Sequence, residues 1–118
     1  MEFDRWTVLL LRRRDDRPTL DQAAEGALQD AHLAFLAKRH AEGHLLAAGP
    51  VQGPLDPTIA GICIYATGVE EARTLAQEDP AVKAGVLRLE VFSWYVPGKT
   101  LRFNPARFPS SMKDVNSP

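Results

Sequence analysis

The sequence predicts an α+β fold, in which two helices cover one face of an antiparallel sheet in the ferredoxin-like arrangement. Segments typical of strands and of helices follow one another in the order strand, helix, strand, strand, helix, strand, which is the split pattern of that fold. The length of 118 residues is close to the commonest size of a single domain. We therefore expect one domain over residues 1–97, followed by an extended tail over residues 98–118.

The first half of the chain begins with an apolar run and continues with a helix-forming segment. Residues 5–11 contain Trp, Thr and Val among leucines, which indicates a buried strand. Thr19 and Gln22 have the spacing of a capping box, so we expect a long helix over residues 20–42. Gly43 follows as a residue that commonly ends a helix.

The second half contains three further strand-like segments and a second helix. Residues 44–48 and 61–66 are apolar and predict strands on either side of a loop rich in Gly and Pro. Residues 69–78 form the second predicted helix, which ends at an Asp-Pro pair. Residues 86–96 alternate between apolar and charged side chains before they become apolar, so they predict the last strand.

Composition excludes several classes of protein. Hydrophobic residues make up 45% and charged residues 25% of the chain, as in soluble domains. Fourteen Lys and Arg against fifteen Asp and Glu give a net charge of −1, which does not favour nucleic-acid binding. No apolar run has the length of a membrane span, and the first residues do not resemble a signal peptide, so we expect a cytoplasmic protein. A single cysteine, Cys63, excludes an intramolecular disulfide and a Cys-rich zinc site.

The predicted strands are apolar on both faces, although two helices can cover only one. We therefore expect a second copy of the chain to pack on the open face and form a homodimer. The tail from residue 97 onward contains four prolines and no periodicity, which indicates an extended arm. Phe103 and Phe108 are its candidate anchors onto the partner.

One histidine on the first helix and one aspartate after the second are the candidate catalytic residues. His32 lies one turn from both Leu28 and Leu36, on the stripe that faces the core. Periodicity alone favours a core histidine bonded to a backbone carbonyl. Asp79 precedes a proline, so the simplest interpretation is a turn residue. A turn of fixed geometry is also a good position for a catalytic carboxylate.

Four further residues are candidates for substrate binding. Arg13 lies in a basic run that could attract an anionic substrate, although such loops are commonly only solvated. Gly49 and Pro50 predict a tight turn, whose amides could also lie beside a ligand. Trp94 and Tyr95 have opposite faces on the last strand, so one could line a pocket while the other packs in the dimer.

A histidine pair at helical spacing does not predict a metal site. His40 and His44 are four residues apart, as helical metal ligands often are. However, Gly43 ends the predicted helix between them, and no third ligand is evident. We therefore expect no bound metal.

Three segments with a shared order and spacing carry a resemblance to a known family. They are Ala31-His32-Leu33 with Phe35-Leu36, Gly43 through Ala48-Gly49-Pro50, and Glu78-Asp79-Pro80 with Ala84-Gly85-Val86. Over about residues 5–96 the chain resembles the YciI-like (YCII-related) family. That resemblance implies a ferredoxin-like protomer that forms a dimeric α/β barrel, and a pocket whose His and Asp pair corresponds to His32 and Asp79. Relatives often carry Arg at the position of Gln29, so the resemblance does not by itself identify the substrate or the activity of this chain.

The resemblance and the chemistry of a His-Asp pair together predict a small-molecule enzyme without a cofactor. A carboxylate beside one ring nitrogen selects the tautomer and leaves the other nitrogen to move a proton near neutral pH. Some relatives are associated with dehydrochlorination of hydroxylated aromatics or with lactone isomerisation. We therefore expect proton transfer, elimination or isomerisation on a small cyclic or aromatic substrate. The alternatives are a non-catalytic module that binds a small metabolite and a cofactor-free oxygenase.

Overall fold

A computed structural model describes residues 1–117 and confirms the predicted ferredoxin-like α+β fold. Four antiparallel strands form one sheet in the order β2-β3-β1-β4. In the described part of the chain, no helix is long and apolar enough to cross a membrane. The elements in chain order are β1 (Phe3–Arg13), α1 (Gln22–Ala41), β2 (Leu45–Pro50), β3 (Ile59–Tyr65), α2 (Val69–Ala76), α3 (Pro80–Lys83), β4 (Leu87–Pro97) and α4 (Met112–Val115).

Alternation along β1 divides its side chains between the two faces of the sheet. Leu9 and Leu11 are buried in the core together with Leu36 of α1. Val8 and Leu10 point to the opposite face, because successive side chains of a strand point to opposite sides. None of the helices in residues 1–117 covers that face. The core therefore lies between the sheet and the helices, and the second face is apolar and open.

The long helix α1 begins at a different cap from the one predicted. Thr19 and Gln22 do not form a capping box. The N-cap is Asp21, whose carboxylate accepts a hydrogen bond from the backbone N–H of Ala24 at 2.8 Å. Asp is as good an N-cap as Thr, and it lies directly before the first helical residue. The predicted stop is confirmed, since Gly43 adopts a φ of 84° that favours glycine.

A short helix that the sequence did not predict follows α2. α2 ends at Ala76, two residues earlier than predicted, and the Asp-Pro pair begins the single turn of α3. Pro80 is the first residue of α3 and Asp79 is its N-cap. Proline is favoured at the first helical position, because its missing N–H would have no partner there. This turn fixes the position of Asp79.

The tail packs on its own chain, where both aromatic side chains that were predicted to contact a partner have neighbours. Phe103 packs edge-on against Trp6, with ring centroids 5.0 Å apart. Phe108 stacks on His40 at 3.9 Å. The tail is extended up to residue 109 and ends in α4, which was not predicted. Pro118 lies outside the described residues.

Candidate functional site

The site is built around a direct contact between α1 and the turn that begins α3. His32 lies in the middle of α1, and Asp79 precedes the first residue of α3. Nδ1 of His32 is 2.7 Å from Oδ2 of Asp79. The structure therefore brings together the two candidate catalytic residues, which are far apart in the sequence.

Two hydrogen bonds hold the carboxylate of Asp79 in one orientation. Its second oxygen, Oδ1, accepts a hydrogen bond from the backbone N–H of Ala81 at 2.9 Å. The residue is only 2% exposed, and a buried carboxylate is stable only when such donors compensate for the loss of water. Because an ionised carboxylate can only accept, Nδ1 of His32 carries the proton of this hydrogen bond. Nε2 is then the nitrogen that remains for a molecule bound beside His32.

His32 lines a cavity of about 690 Å³ between α1, the sheet and the tail. This volume lies within the range of small-molecule sites, roughly 300–1,000 Å³. Three of the four candidate binding residues, Arg13, Gly49 and Pro50, line the same cavity. The fourth, Trp94, does not: it lies on the open face of the sheet, where its side chain is 41% exposed.

The tail contributes a wall of the cavity that the sequence did not predict. Phe108, Pro109 and Met112 line the cavity. The stacking of Phe108 on His40 holds the tail beside α1, and Asp30 of α1 accepts a hydrogen bond from the backbone N–H of Met112 at 2.8 Å. Without periodicity, nothing in the tail sequence indicated which side of the molecule it would cover.

His40 is a structural residue that attaches the tail. Its Nδ1 lies 2.6 Å from the carbonyl oxygen of Leu45, and its Nε2 accepts the backbone N–H of Ala106 at 3.1 Å. A carbonyl can only accept and an N–H can only donate, so this geometry requires the neutral ring protonated on Nδ1. Within residues 1–117, no three His, Cys, Asp or Glu side chains are grouped so that they could hold a metal ion.

Burial raises the pKa of two side chains of β3, Cys63 and Tyr65. Cys63 lines the cavity and is 2% exposed. Burial raises the pKa of its thiol to about 12, and the nearby charge of Asp79 adds to this effect. Burial also raises the pKa of Tyr65, with smaller contributions from Cys63 and Asp79. Neither group is a nucleophile near neutral pH.

Among the lining residues that were not predicted as binding residues, Gln29, Arg17 and Cys63 have polar or ionisable side chains. Gln29 lies one turn before His32 on α1, and its lining position could be derived from helical spacing. Arg17 lines the cavity from the loop after β1. Cys63 belongs to β3, where alternation with Tyr65 predicts its inward direction.

Comparisons with known proteins agree with this fold and extend it to a family. A family model described as the YCII-related domain matches residues 7–95. One similar solved structure is 5-chloro-2-hydroxyhydroquinone dehydrochlorinase from Burkholderia phenoliruptrix AC1100 in complex with 2,5-dihydroxybenzoquinone. It shares 22% identity, with a TM-score of 0.54, over 75% of this chain and 92% of that chain. At this identity the similarity concerns the fold. No curated protein matches the sequence.

Proposed function

This chain belongs to the family of YCII-related domains, and we propose that it is a cofactor-free enzyme in which His32 is the general acid and base. Asp79 holds the ring of His32 and stabilises its positive charge. The observation that carries the proposal is the 2.7 Å contact of Nδ1 with Oδ2 of Asp79, at the edge of a cavity that His32 lines. The same pair of groups serves proton transfer in many enzymes.

The proposed reaction is proton abstraction followed by elimination or isomerisation. Nε2 of His32 takes a proton from an acidic position of the substrate, and the ring becomes an imidazolium that Asp79 stabilises. In an elimination, the electron pair of the broken bond to hydrogen forms a new double bond, and an anionic leaving group such as chloride departs. In an isomerisation, His32 returns the proton to another atom of the substrate.

The substrate that we propose is a small cyclic or aromatic molecule. The wall of the cavity supports this, since it is made largely of apolar side chains that include Leu28, Leu33 and Phe108. The similar structure with a dehydrochlorinase name carries a quinone ligand, and it suggests a chlorinated hydroxyquinol as the first compound to test.

The first experiment reads the tautomer of His32 directly. Nitrogen NMR of the imidazole ring at about pH 8 should show the proton on Nδ1 and a lone pair on Nε2. In Asp79→Asn, the amide still accepts the N–H of Ala81, and its NH₂ group faces the ring. We therefore expect the proton of His32 to move to Nε2, which removes the base from the cavity.

His40 provides an internal control in the same spectra, because its Nδ1 tautomer depends on Leu45 and Ala106. Its signals should not change in Asp79→Asn. If His32 keeps the same tautomer in the wild-type protein and in Asp79→Asn, then Asp79 does not orient the ring. That result would contradict the proposed role of Asp79.

The second experiment measures turnover. Incubation with 5-chloro-2-hydroxyhydroquinone should release chloride, and His32→Asn should lower the rate by roughly 10²–10⁴-fold, the usual contribution of a general base. His44→Asn is the matched control, since His44 does not line the cavity. An equal rate in His32→Asn would contradict the catalytic role of His32.

A non-catalytic binding module is the second candidate function, and the size and apolar wall of the cavity favour it independently of the dyad. In that case the wild-type protein binds a cyclic compound without turnover, and His32→Asn changes the affinity only a few-fold. Oxygen uptake during turnover would identify the remaining alternative, a cofactor-free oxygenase.

We also propose that the active form is a cytoplasmic homodimer. The open face of the sheet supports a second copy as the partner, since Ile62, Phe92 and Trp94 lie on it with 36%, 46% and 41% exposure. The cytoplasm is supported by the single cysteine, Cys63, which is free and buried.

A further inference from the structure

We infer that the cavity binds a ring compound that carries a carboxylate, and that Arg13 and Arg17 hold this carboxylate at the cavity mouth. The inference rests on the proposed function in that it names the substrate class for the same cavity. Its basis is a difference in ion pairing: Arg12 and Arg14 of the same basic segment pair with carboxylates, whereas Arg13 and Arg17 pair with none in residues 1–117.

Strand alternation separates the neighbouring arginines of β1. Leu11 belongs to the core, so Arg13, two residues later, has its side chain on the same side of the sheet. Arg13 accordingly lines the cavity. Arg12 points to the other face, where its guanidinium donates to Asp56 and Glu90.

Arg14 and Arg17, in the loop after β1, differ in the same way as Arg12 and Arg13. Arg14 forms a bidentate ion pair with Asp16, through two hydrogen bonds of 2.8 Å. Arg17 lines the cavity. Thus the two arginines that carboxylates neutralise do not line the cavity. Among residues 1–117, the two that line it have no carboxylate partner.

In Arg13 and in Arg17, one guanidinium nitrogen donates to backbone carbonyls, and the other two nitrogens are available to a ligand. Nη1 of Arg13 donates to the carbonyl oxygens of Pro57 and Ile59, at 2.7 and 3.2 Å. Nη1 of Arg17 donates to the carbonyl oxygen of Arg14 at 2.7 Å. Within the described residues, Nε and Nη2 of each have no hydrogen-bond acceptor. These two nitrogens form the fork that binds two oxygen atoms of one carboxylate.

The charge of the cavity lining is consistent with an anionic ligand. Glu25 is the one acidic residue among the described residues that line the cavity, and it is exposed on the first turn of α1. Two arginines therefore outweigh one glutamate at this end. The rest of the lining is largely apolar and suits a ring, so the ligand that we infer has one apolar and one charged end.

Calorimetric titration of the wild-type protein with benzoate and benzamide tests the inference, because the two probes have nearly the same shape and differ in charge. Benzoate should bind at least about tenfold more tightly, as expected for charge-assisted hydrogen bonds. Equal binding of the two probes, or no binding of benzoate, would overturn the inference. Phenyl phosphate distinguishes the anions: tighter binding of it than of benzoate would overturn the carboxylate assignment.

Variants identify the residues. Arg13→Gln and Arg17→Gln should each weaken benzoate binding by about tenfold and leave benzamide binding unchanged. Arg14→Gln is the matched control, because it removes the same charge from the same segment without touching the cavity lining. Benzoate affinities in Arg13→Gln and Arg17→Gln that equal that of Arg14→Gln would overturn the assignment of the site.

The benzoate titration and the tautomer measurement of His32 test separate claims, so a negative result in one does not require a negative result in the other. Benzoate binding needs no turnover, so it would persist if His32 proved not to be a base. Conversely, the tautomer of His32 depends on Asp79, and it would be unchanged if no anion bound at Arg13 and Arg17.

Discussion

At the scale of single residues, the burial of Cys63 makes the free energy of unfolding depend on pH in the alkaline range. The pKa of its thiol rises from 9.0 to about 12 in the folded protein because the residue is buried. Below pH 9 the thiol is protonated in both the folded and the unfolded state, so its contribution to stability is complete. As the pH rises towards 12, the unfolded state loses the proton first, and stability decreases.

Cys63→Ala should remove this part of the alkaline destabilisation. The slope for one proton is about 1.4 kcal/mol per pH unit. Urea unfolding at about pH 9.5 and about pH 11 should therefore show a loss of stability that is roughly 2 kcal/mol larger in the wild-type protein than in the variant. Burial also raises the pKa of Tyr65, which adds an alkaline loss of stability to both proteins, and only the smaller contribution of Cys63 to that pKa is absent from the variant. Equal losses would contradict the buried state of the thiol.

The catalytic pair and the mouth of the cavity differ in how far the sequence could predict them. Helical spacing put His32 on the buried stripe, but only the family resemblance paired it with Asp79, because contacts between distant segments have no local signal. Alternation along β1 puts Arg13 on the cavity face. Trp94 shows the limit of that rule: the pattern assigned it and Tyr95 to opposite faces, without saying which face carried the cavity.

At the scale of elements, the tail closes the cavity and is attached at few points. Phe108→Ala removes the stacking on His40 and part of the cavity wall. We expect a loss of about 1–2 kcal/mol in the free energy of unfolding, less than for a fully buried Phe. The amides of Ala106 and Met112, which donate to His40 and Asp30, should exchange with solvent faster.

Arg102→Gln is the control for this prediction, since Arg102 lies in the same tail with an exposed side chain. It should change stability by no more than about 0.5 kcal/mol. Unchanged exchange of both amides in Phe108→Ala would mean that the stacking does not hold the tail.

The two four-residue helices, α3 and α4, were not predicted, whereas the longer helices and the strands were. The four strands and α1 and α2 have periodic or apolar patterns long enough to recognise. The four-residue helix α4 has no such pattern. Its one signal is the spacing of Ser111 and Asp114, since the hydroxyl of Ser111 accepts the N–H of Asp114 at 3.1 Å. For α1, the sequence analysis predicted a capping box of Thr19 and Gln22, whereas the N-cap is Asp21.

At the scale of the whole molecule, the sheet has one covered and one open face. The apolar character of both faces was evident from the sequence, and the structure confirms that the helices lie on one side. The open face carries apolar side chains from three strands, of which Ile62, Phe92 and Trp94 are exposed and Val8, Leu10 and Ile64 are half-buried. Such a continuous apolar surface is unusual on a monomer. We expect a second copy of the same sheet as its partner, since both surfaces would be apolar.

Ile62→Glu should separate the dimer, because a carboxylate on this face would be buried without a partner in the assembly. Sedimentation equilibrium should give twice the 13.0 kDa of the chain for the wild-type protein and a single chain for the variant. Leu55→Glu is the control, since Leu55 is 98% exposed in the loop between β2 and β3, and this variant should remain dimeric. A wild-type mass of one chain, or a dimer that survives Ile62→Glu, would contradict the pairing of the two sheets. In the expected case Ile62→Glu should retain the hydrogen bond between His32 and Asp79, because both residues belong to one chain on the opposite side of the sheet.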